Sequence, residues 1–316
     1  MGRLNSVEIL DVSARDGLQN ESRLFSAGEK VDLIKQIIAA GVRRLEVASF
    51  VHPKRVPQMA DAEAVIEALP DRDDVNYIGL VLNERGLDRA LETKVDEVGC
   101  VALPSDTFAQ KNQGQTYRQS VEVAAKILTR ANAAHRRANV TISAAFGCPF
   151  EGEVEIDRVV DMAQQLAQYN PHEIALADTI GVGDPWHVTE LVSAIRKALP
   201  NMPLRAHFHN TRNTGLANGF AAVQAGISTL DVSVAGIGGC PFAPAATGNV
   251  PAEDMIYMLQ RHGLASEISL TDIIACADWL TEKFDRVLPG MLGRAGLFPP
   301  QKSSQSNTRQ LEAEAT

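Results

Sequence analysis

Short apolar runs rich in β-branched residues recur along the chain, and segments with helical spacing of apolar residues separate them. Runs of this length and composition predict buried strands. Eight such runs occur: Val7–Val12, Leu45–Phe50, Tyr77–Leu82, Val98–Leu103, Val140–Phe146, Glu173–Ala177, Leu204–His209 and Leu230–Ala235. Because most of them are apolar on both faces, they predict a parallel sheet covered by helices.

The segments between the runs carry signals for the start and end of helices. Ser26 and Glu29 have the spacing of a capping box, and Gly41 stands where the following helix should end. Asp184 and Pro185 are a typical cap and first residue of a later helix. The chain is therefore predicted to repeat a strand–helix unit eight times.

Eight strand–helix units within about 240 residues match a single closed (β/α)₈ TIM barrel. An open doubly wound sheet is the competing α/β fold, but Arg15-Asp16-Gly17-Leu18 follows the first strand where that fold carries G-x-G-x-x-G. Helices around 253–262 and 271–288 are expected to form a C-terminal helical extension. We predict one domain over residues 1–301 and a mobile polar tail over 302–316.

Composition narrows the class of protein. Of the 316 residues, 45% are hydrophobic and 22% charged, which is typical of a globular chain, and the net charge of −9 argues against a nucleic-acid partner. Four scattered cysteines in a chain of this size do not suggest a disulfide framework. With no apolar run long enough to span a membrane and no signal region, we expect a soluble cytoplasmic protein.

Polar residues cluster where the predicted strands end, the position of active sites in (β/α)₈ barrels. His207 and His209 are two residues apart on a strand, so both imidazoles project from the same face. They could simply be barrel-lining histidines bonded to neighbours. Asp16 at the same end of the barrel favours a divalent-metal site, and Asn249 adds an amide oxygen that can serve as a further metal ligand. Nitrogen and oxygen donors without a thiolate point to Mg²⁺ or Mn²⁺.

Two further residues are candidates for chemistry. Glu46 lies inside a strand, where a carboxylate must be paired; it is either a structural ion pair, for example with Arg15, or part of a site. Cys240 ends the glycine-rich segment that starts at Gly236, and a thiol on a closing loop can transfer a proton. The alternative is an ordinary turn with a free cysteine.

Several motifs, in order along the chain, resemble those of the 3-hydroxy-3-methylglutaryl-CoA lyase family of metal-dependent TIM-barrel lyases. The similarity runs from about residue 5 to about residue 290. The motifs are Arg15-Asp16-Gly17-Leu18-Gln19-Asn20, Ser49-Phe50-Val51 through Pro57-Gln58-Met59, Asp178-Thr179-Ile180-Gly181-Val182-Gly183, and Val234-Ala235-Gly236-Ile237-Gly238-Gly239-Cys240-Pro241.

The resemblance implies a role for each matching residue. The family's metal ligands correspond to Asp16, His207, His209 and Asn249. Arg15 corresponds to the arginine that stabilises the thioester enolate, and Cys240 to the cysteine implicated in proton transfer. The base that removes the hydroxyl proton stays open among Asp16, His207 and a metal-bound water.

The same resemblance places three other residues around the site. Glu46 corresponds to a carboxylate lining it, Asp178 to an acidic residue at the barrel mouth, and Gln19 to a substrate contact within its motif. The family also implies an acyl-CoA substrate, cleavage to acetyl-CoA and acetoacetate, and a homodimer.

Two departures bear on the substrate. Arg212 stands where the lyases usually have tyrosine, and Ser13-Ala14 replaces the usual Gly-Pro before Arg15. A guanidinium could grip a substrate carboxylate bidentately, which keeps cleavage of the shorter citramalyl-CoA as an alternative. A condensing synthase and a silent barrel that binds CoA esters are further, weaker alternatives.

Overall fold

The computed structural model describes residues 4–239 and 248–299. Eight parallel strands close into a barrel in which each strand pairs with the next in sequence and β8 pairs with β1. The strands are β1 Glu8–Asp11, β2 Arg44–Ser49, β3 Asn76–Leu80, β4 Glu97–Ala102, β5 Arg137–Ile142, β6 Glu173–Asp178, β7 Leu204–Phe208 and β8 Thr229–Val232. The predicted (β/α)₈ TIM barrel is confirmed, with every predicted run overlapping one strand.

Helices cover the outside of the barrel. They are α1 Ala27–Ala39, α2 Ala62–Glu67, α3 Glu84–Leu91, α4 Asp106–Gln113, α5 Tyr117–Ala133, α6 Ile156–Ala167, α7 Pro185–Ala198, α8 Gly215–Gln224, α9 Ala252–Gln260, α10 Leu270–Phe284 and α11 Leu292–Ala295. The capping box of Ser26 and Glu29 forms as predicted, and Asp184 caps α7 by accepting hydrogen bonds from two backbone amides. No helix among the described residues is long and apolar enough to cross a membrane.

The C-terminal extension packs beside the start of the barrel. α10 contacts α1, and the ring of Phe25 lies against Trp279 and Phe284. α10 ends earlier than predicted because Asp285 adopts a left-handed conformation with φ of 49°. The predicted tail, residues 302–316, lies outside the described residues, so the proposed domain boundary stays a prediction.

The inside of the barrel differs from the apolar filling that the strand runs suggested. Leu10, Val12 and Ile78 form a small apolar cluster apart from the main core. Around it lie buried charged and polar side chains: Arg44, Glu97, Asn139, Glu173, Arg205 and Asp231. The guanidinium of Arg44 on β2 bonds carboxylates on β4 and β6, so these contacts cross the interior. Such burial is tolerated because opposite charges are paired.

Candidate metal and active site

A single turn of π-helix at Ser13–Gly17 follows β1 and carries the first predicted site residues. The hydroxyl of Ser13 donates to Asp11 at 2.8 Å and accepts from the amide of Val234 at 2.7 Å, which ties this turn to the chain after β8. Arg15 donates through Nε to Glu46 and through Nη1 to Asp16. The turn therefore presents one guanidinium between two carboxylates.

His207 on β7 and His209, the first residue after Phe208, meet Asp16 at the mouth of the barrel. Oδ2 of Asp16 lies 3.9 Å from Nε2 of His207 and 3.7 Å from Nε2 of His209. Ligand atoms from these three residues all lie within 4.8 Å of one another. Two imidazole nitrogens and a carboxylate oxygen at this spacing fit a divalent cation, and the donor set lacks the thiolates of a structural zinc site.

Asn249 lies next to this group. Its backbone forms an antiparallel bridge with His209, and its Nδ2 donates to Oδ2 of Asp16 at 2.9 Å and to the carbonyl of Ile237 at 3.0 Å. The structure thus brings together all four residues that the sequence assigned to a metal site.

Opposed electrostatic effects fix the charges of this group. Burial alone would raise the pKa of Asp16, but Arg15, His209 and His207 together hold it well below its usual range. Burial would likewise lower the pKa of His207, yet Asp231 and Asp16 leave it raised. The pKa of Arg15 is raised as well, because Glu46 and Asp16 outweigh its burial. Asp16 is therefore an ionised carboxylate suited to holding a cation.

A cavity of about 180 Å³ opens above these residues. Its wall contains Arg15, Asp16, Glu46, His207 and His209, together with the hydroxyl-bearing Thr141, Ser143 and Thr179 and apolar side chains of β3 and β4. A larger groove of about 800 Å³ lies on the outer surface near Leu4, Phe220 and Met258 and contains none of the predicted site residues. The smaller cavity is therefore the candidate active site.

The other predicted residues differ in their positions. Gln19 lines the cavity, and its buried Oε1 has no hydrogen-bond partner among the described residues. Asp178 is buried and accepts from the amides of Val182 and Gly183 at 2.9 Å each, so it holds the loop after β6. Arg212 is exposed and donates through Nη1 to the carbonyls of Ile180 and Gly181, away from the cavity wall. Cys240 lies outside the described residues.

The ion pair of Arg15 and Glu46 bears on the alternatives left open for Glu46. The pair is formed, which is the structural reading, and both members also line the cavity. A role for Glu46 in chemistry stays a prediction.

Two charged residues that line this cavity, Asp231 and Arg205, were not predicted from the sequence. Oδ2 of Asp231 on β8 lies 3.1 Å from Nδ1 of His207, and the residue lines the same cavity. A carboxylate within an otherwise apolar strand run was the signal that singled out Glu46, and the run Leu230–Ala235 carried the same signal.

A closed (β/α)₈ barrel, in which histidine and carboxylate side chains that could hold a metal converge at the carboxyl ends of the strands, defines a TIM-barrel protein with a candidate metal site. The sequence profile of the HMGL-like family matches residues 6–280, and the chain belongs to that family. It is 38% identical over 313 residues to (R)-citramalyl-CoA lyase of Chloroflexus aurantiacus, covering 96% of this chain and 99% of that one. It is 35% identical to hydroxymethylglutaryl-CoA lyase of Bacillus subtilis, covering 90% and 95%.

Solved structures agree with this assignment. The crystal structure of the Bacillus subtilis HMG-CoA lyase superimposes with a TM-score of 0.90 at 34% identity, covering 93% of this chain and 99% of that one. An HMG-CoA lyase from Acinetobacter baumannii in complex with coenzyme A and 3-methylmalate gives a TM-score of 0.89 at 34% identity, covering 94% and 97%.

Proposed function

We propose that this protein is a divalent-metal-dependent carbon–carbon lyase that cleaves 3-hydroxy-3-methylglutaryl-CoA to acetyl-CoA and acetoacetate. The observation that carries the proposal is the convergence of Asp16, His207 and His209 beside Arg15 in the mouth cavity. Lyases that bear this substrate in their names resemble the chain over most of its length, which supports the choice of substrate.

Asp16, His207 and His209 would hold the cation, with Asn249 as a further ligand. Nitrogen and oxygen donors favour Mg²⁺ or Mn²⁺. When bound, such a cation supplies Lewis acidity that makes the 3-hydroxyl of the substrate easier to deprotonate.

The chain's own groups then carry the cleavage. A base at the mouth, for which Asp16 and His207 are the candidates among the described residues, takes the hydroxyl proton. The freed electron pair on oxygen forms the carbonyl of acetoacetate as the C2–C3 bond breaks, and the bonding pair stays on C2 as the enolate of acetyl-CoA.

Arg15 stabilises the oxygen of that enolate, because its guanidinium stays charged on the cavity wall. The thiol of Cys240 gives its proton to C2, which completes acetyl-CoA. The thiolate left behind recovers a proton from solvent before the next turnover.

Release of acetyl-CoA from the thioester, with and without Mg²⁺ or Mn²⁺, tests the proposal. Asp16→Asn should weaken metal binding, whereas Cys240→Ser should lower turnover and leave metal bound. Full activity in both variants, or no cleavage of any hydroxyacyl-CoA by the unaltered protein, would rule the proposal out.

Citramalyl-CoA is the second candidate substrate, and the 38% identity to a citramalyl-CoA lyase over 313 residues favours it. Its carboxylate is attached directly to C3, so the same bond cleavage would yield acetyl-CoA and pyruvate. Side-by-side kcat/KM values for the two thioesters decide between them.

We also propose a cytoplasmic homodimer. The family resemblance supports the dimer, and sedimentation of the purified protein tests it. Cys100, Cys148 and Cys276 are buried free thiols, which supports a reducing compartment.

A further inference from the structure

Asp231 is placed to control the orientation of a candidate metal ligand. In the pairing of β7 with β8, His207 lies directly opposite Asp231, and Oδ2 of Asp231 lies 3.1 Å from Nδ1 of the imidazole. The other ring nitrogen, Nε2, faces Asp16 and the mouth. Each nitrogen of His207 is thus directed at a different carboxylate.

We propose that Asp231 is a positioning residue that fixes the ring and the tautomer of His207 for metal ligation. The inference rests on the proposed function, since it concerns the same cation. A neutral imidazole carries a proton on one nitrogen and a lone pair on the other. With the proton on Nδ1 donated to Asp231, the lone pair on Nε2 points to where the cation would lie. The opposite tautomer would place an N–H there instead.

The second oxygen of Asp231 faces the guanidinium of a buried arginine at ion-pair distance, without a hydrogen bond. Oδ1 of Asp231 lies 3.6 Å from Nε of Arg205, which is two residues before His207 on β7 and therefore on the same face. Arg205 is buried, and its Nη2 donates to Asn139 and Thr141 at 3.2 Å each. The guanidinium thus spans the interior from β7 to β5.

The arginine belongs to a larger set of paired charges, which we call the floor network: Arg44, Glu97, Glu173, Arg205 and Asp231. Glu173 lies between the two arginines, with Oε2 3.3 Å from Nε of Arg205 and 3.1 Å from Nη2 of Arg44. Arg44 also donates to Glu97 at 2.6 Å. Five strands contribute one member each, so no member can swing away without unpairing a buried charge.

A purely structural reading is that Asp231 only balances the charge of Arg205. The two readings make different predictions for Asp231→Asn. Arg205 offers only N–H donors, so the new carboxamide should turn its oxygen toward Arg205 and its NH₂ toward Nδ1 of His207. Nδ1 must then accept, and the ring proton moves to Nε2, where it opposes metal binding.

The test is ¹⁵N NMR of the histidine rings in the metal-free protein, recorded at alkaline pH so that the imidazole of His207 is neutral in spite of its raised pKa. The His207 signals are assigned by their loss in His207→Gln. We expect the Nδ1–H tautomer in the unaltered protein and the Nε2–H tautomer in Asp231→Asn. Mn²⁺ titration should then give a Kd raised roughly 10- to 100-fold in Asp231→Asn.

Glu253→Gln is the matched control. Glu253 is likewise buried, and its carboxylate accepts from the backbone amide of Ala235 rather than facing a histidine. It should leave the tautomer unchanged and the Kd for Mn²⁺ within about threefold of the original value.

Three results would overturn the inference: an Nε2–H tautomer in the unaltered protein, an unchanged Kd in Asp231→Asn, or an equal loss in Glu253→Gln. The tautomer of the unaltered protein is read without any variant, so poor folding of Asp231→Asn does not prevent the test. A failure to cleave thioesters would instead count against the proposed function alone.

Discussion

The side-chain amide of Asn249 is turned with its nitrogen toward Asp16, at 2.9 Å from Oδ2. The carbonyl of Ile237 accepts from the same nitrogen, so two acceptors fix the direction of the amide. Asn249 therefore holds Asp16 in place in this structure, in addition to any role as a ligand.

Gly238→Ala should disturb this contact. Gly238 has a φ of 109°, and a Cβ there would lie 2.4 Å from Nδ2 of Asn249 and 3.0 Å from the backbone oxygen of Asp16. We expect the affinity for Mn²⁺ to fall roughly 10-fold or more, measured by titration. Gly239→Ala is the control, since a Cβ there meets no described atom within 4 Å. Equal losses in both variants would contradict the steric explanation.

Arg15→Gln should lower both activity and stability. Loss of the enolate-stabilising cation should reduce kcat roughly 10²- to 10³-fold. Glu46, with a side chain only 4% exposed, would be left as an unpaired buried charge, which costs about 3 kcal/mol of unfolding free energy. In the double variant with Glu46→Gln, stability measured by urea unfolding should recover while kcat stays low. Recovery of kcat would show that Arg15 acts only by neutralising Glu46.

Glu253→Gln should change how stability depends on pH. Burial raises the pKa of Glu253 to about 7 from a usual value of 4.5. The folded protein therefore holds this proton more tightly than the unfolded chain, so the group favours folding below about pH 4.5 and loses that contribution as pH rises to 7. The lost amount is of the order of 3 kcal/mol.

The measurement is urea unfolding at pH 5 and pH 8. Glu253→Gln should lose less stability between pH 5 and pH 8 than the original protein, because glutamine does not titrate. Its carbonyl oxygen can still accept from the amide of Ala235, so the local hydrogen bond is kept. The exposed Glu282→Gln on α10 should follow the original profile. Parallel profiles for Glu253→Gln and the original protein would refute the assignment.

Arg212→Gln tests whether this arginine selects the substrate. Its Nη1 donates to the carbonyls of Ile180 and Gly181 at 2.8 and 3.0 Å, so its removal should loosen the loop after β6. We expect kcat/KM for 3-hydroxy-3-methylglutaryl-CoA and for citramalyl-CoA to fall by similar factors. A selective loss on one thioester would support the carboxylate grip expected from the sequence.

The sequence was most informative where local rules decide the outcome. Alternation through β7 and the residue after it correctly placed His207 and His209 on the same side, facing Asp16. The capping signals at Ser26 and Asp184 were also correct. Strand ends were less predictable: the run predicted to reach Ala235 stops at Val232, since the chain turns at 234–236 with a φ of 58° at Ala235.

Long side chains limited the prediction of the site. The position of Arg212 close to the histidines in sequence suggested that its guanidinium lies near the candidate metal site. The direction of this side chain instead depends on the acceptors within its reach, which are carbonyls of Ile180 and Gly181, about thirty residues earlier in the chain. The partners of Asp231 were equally hidden, because they lie on strands that are brought together only when the barrel closes.

The ionic filling of the barrel has a consequence for engineering. On the proposed role of Asp231, a designer who moved only Asp16, His207 and His209 onto an apolar barrel would leave the imidazole of His207 free to rotate and to carry its proton on either nitrogen. The proposal implies that transplanting the site also requires the floor network, whose members come from five strands. It also implies that a neutral replacement of Asp231 disables metal binding without any contact with the substrate.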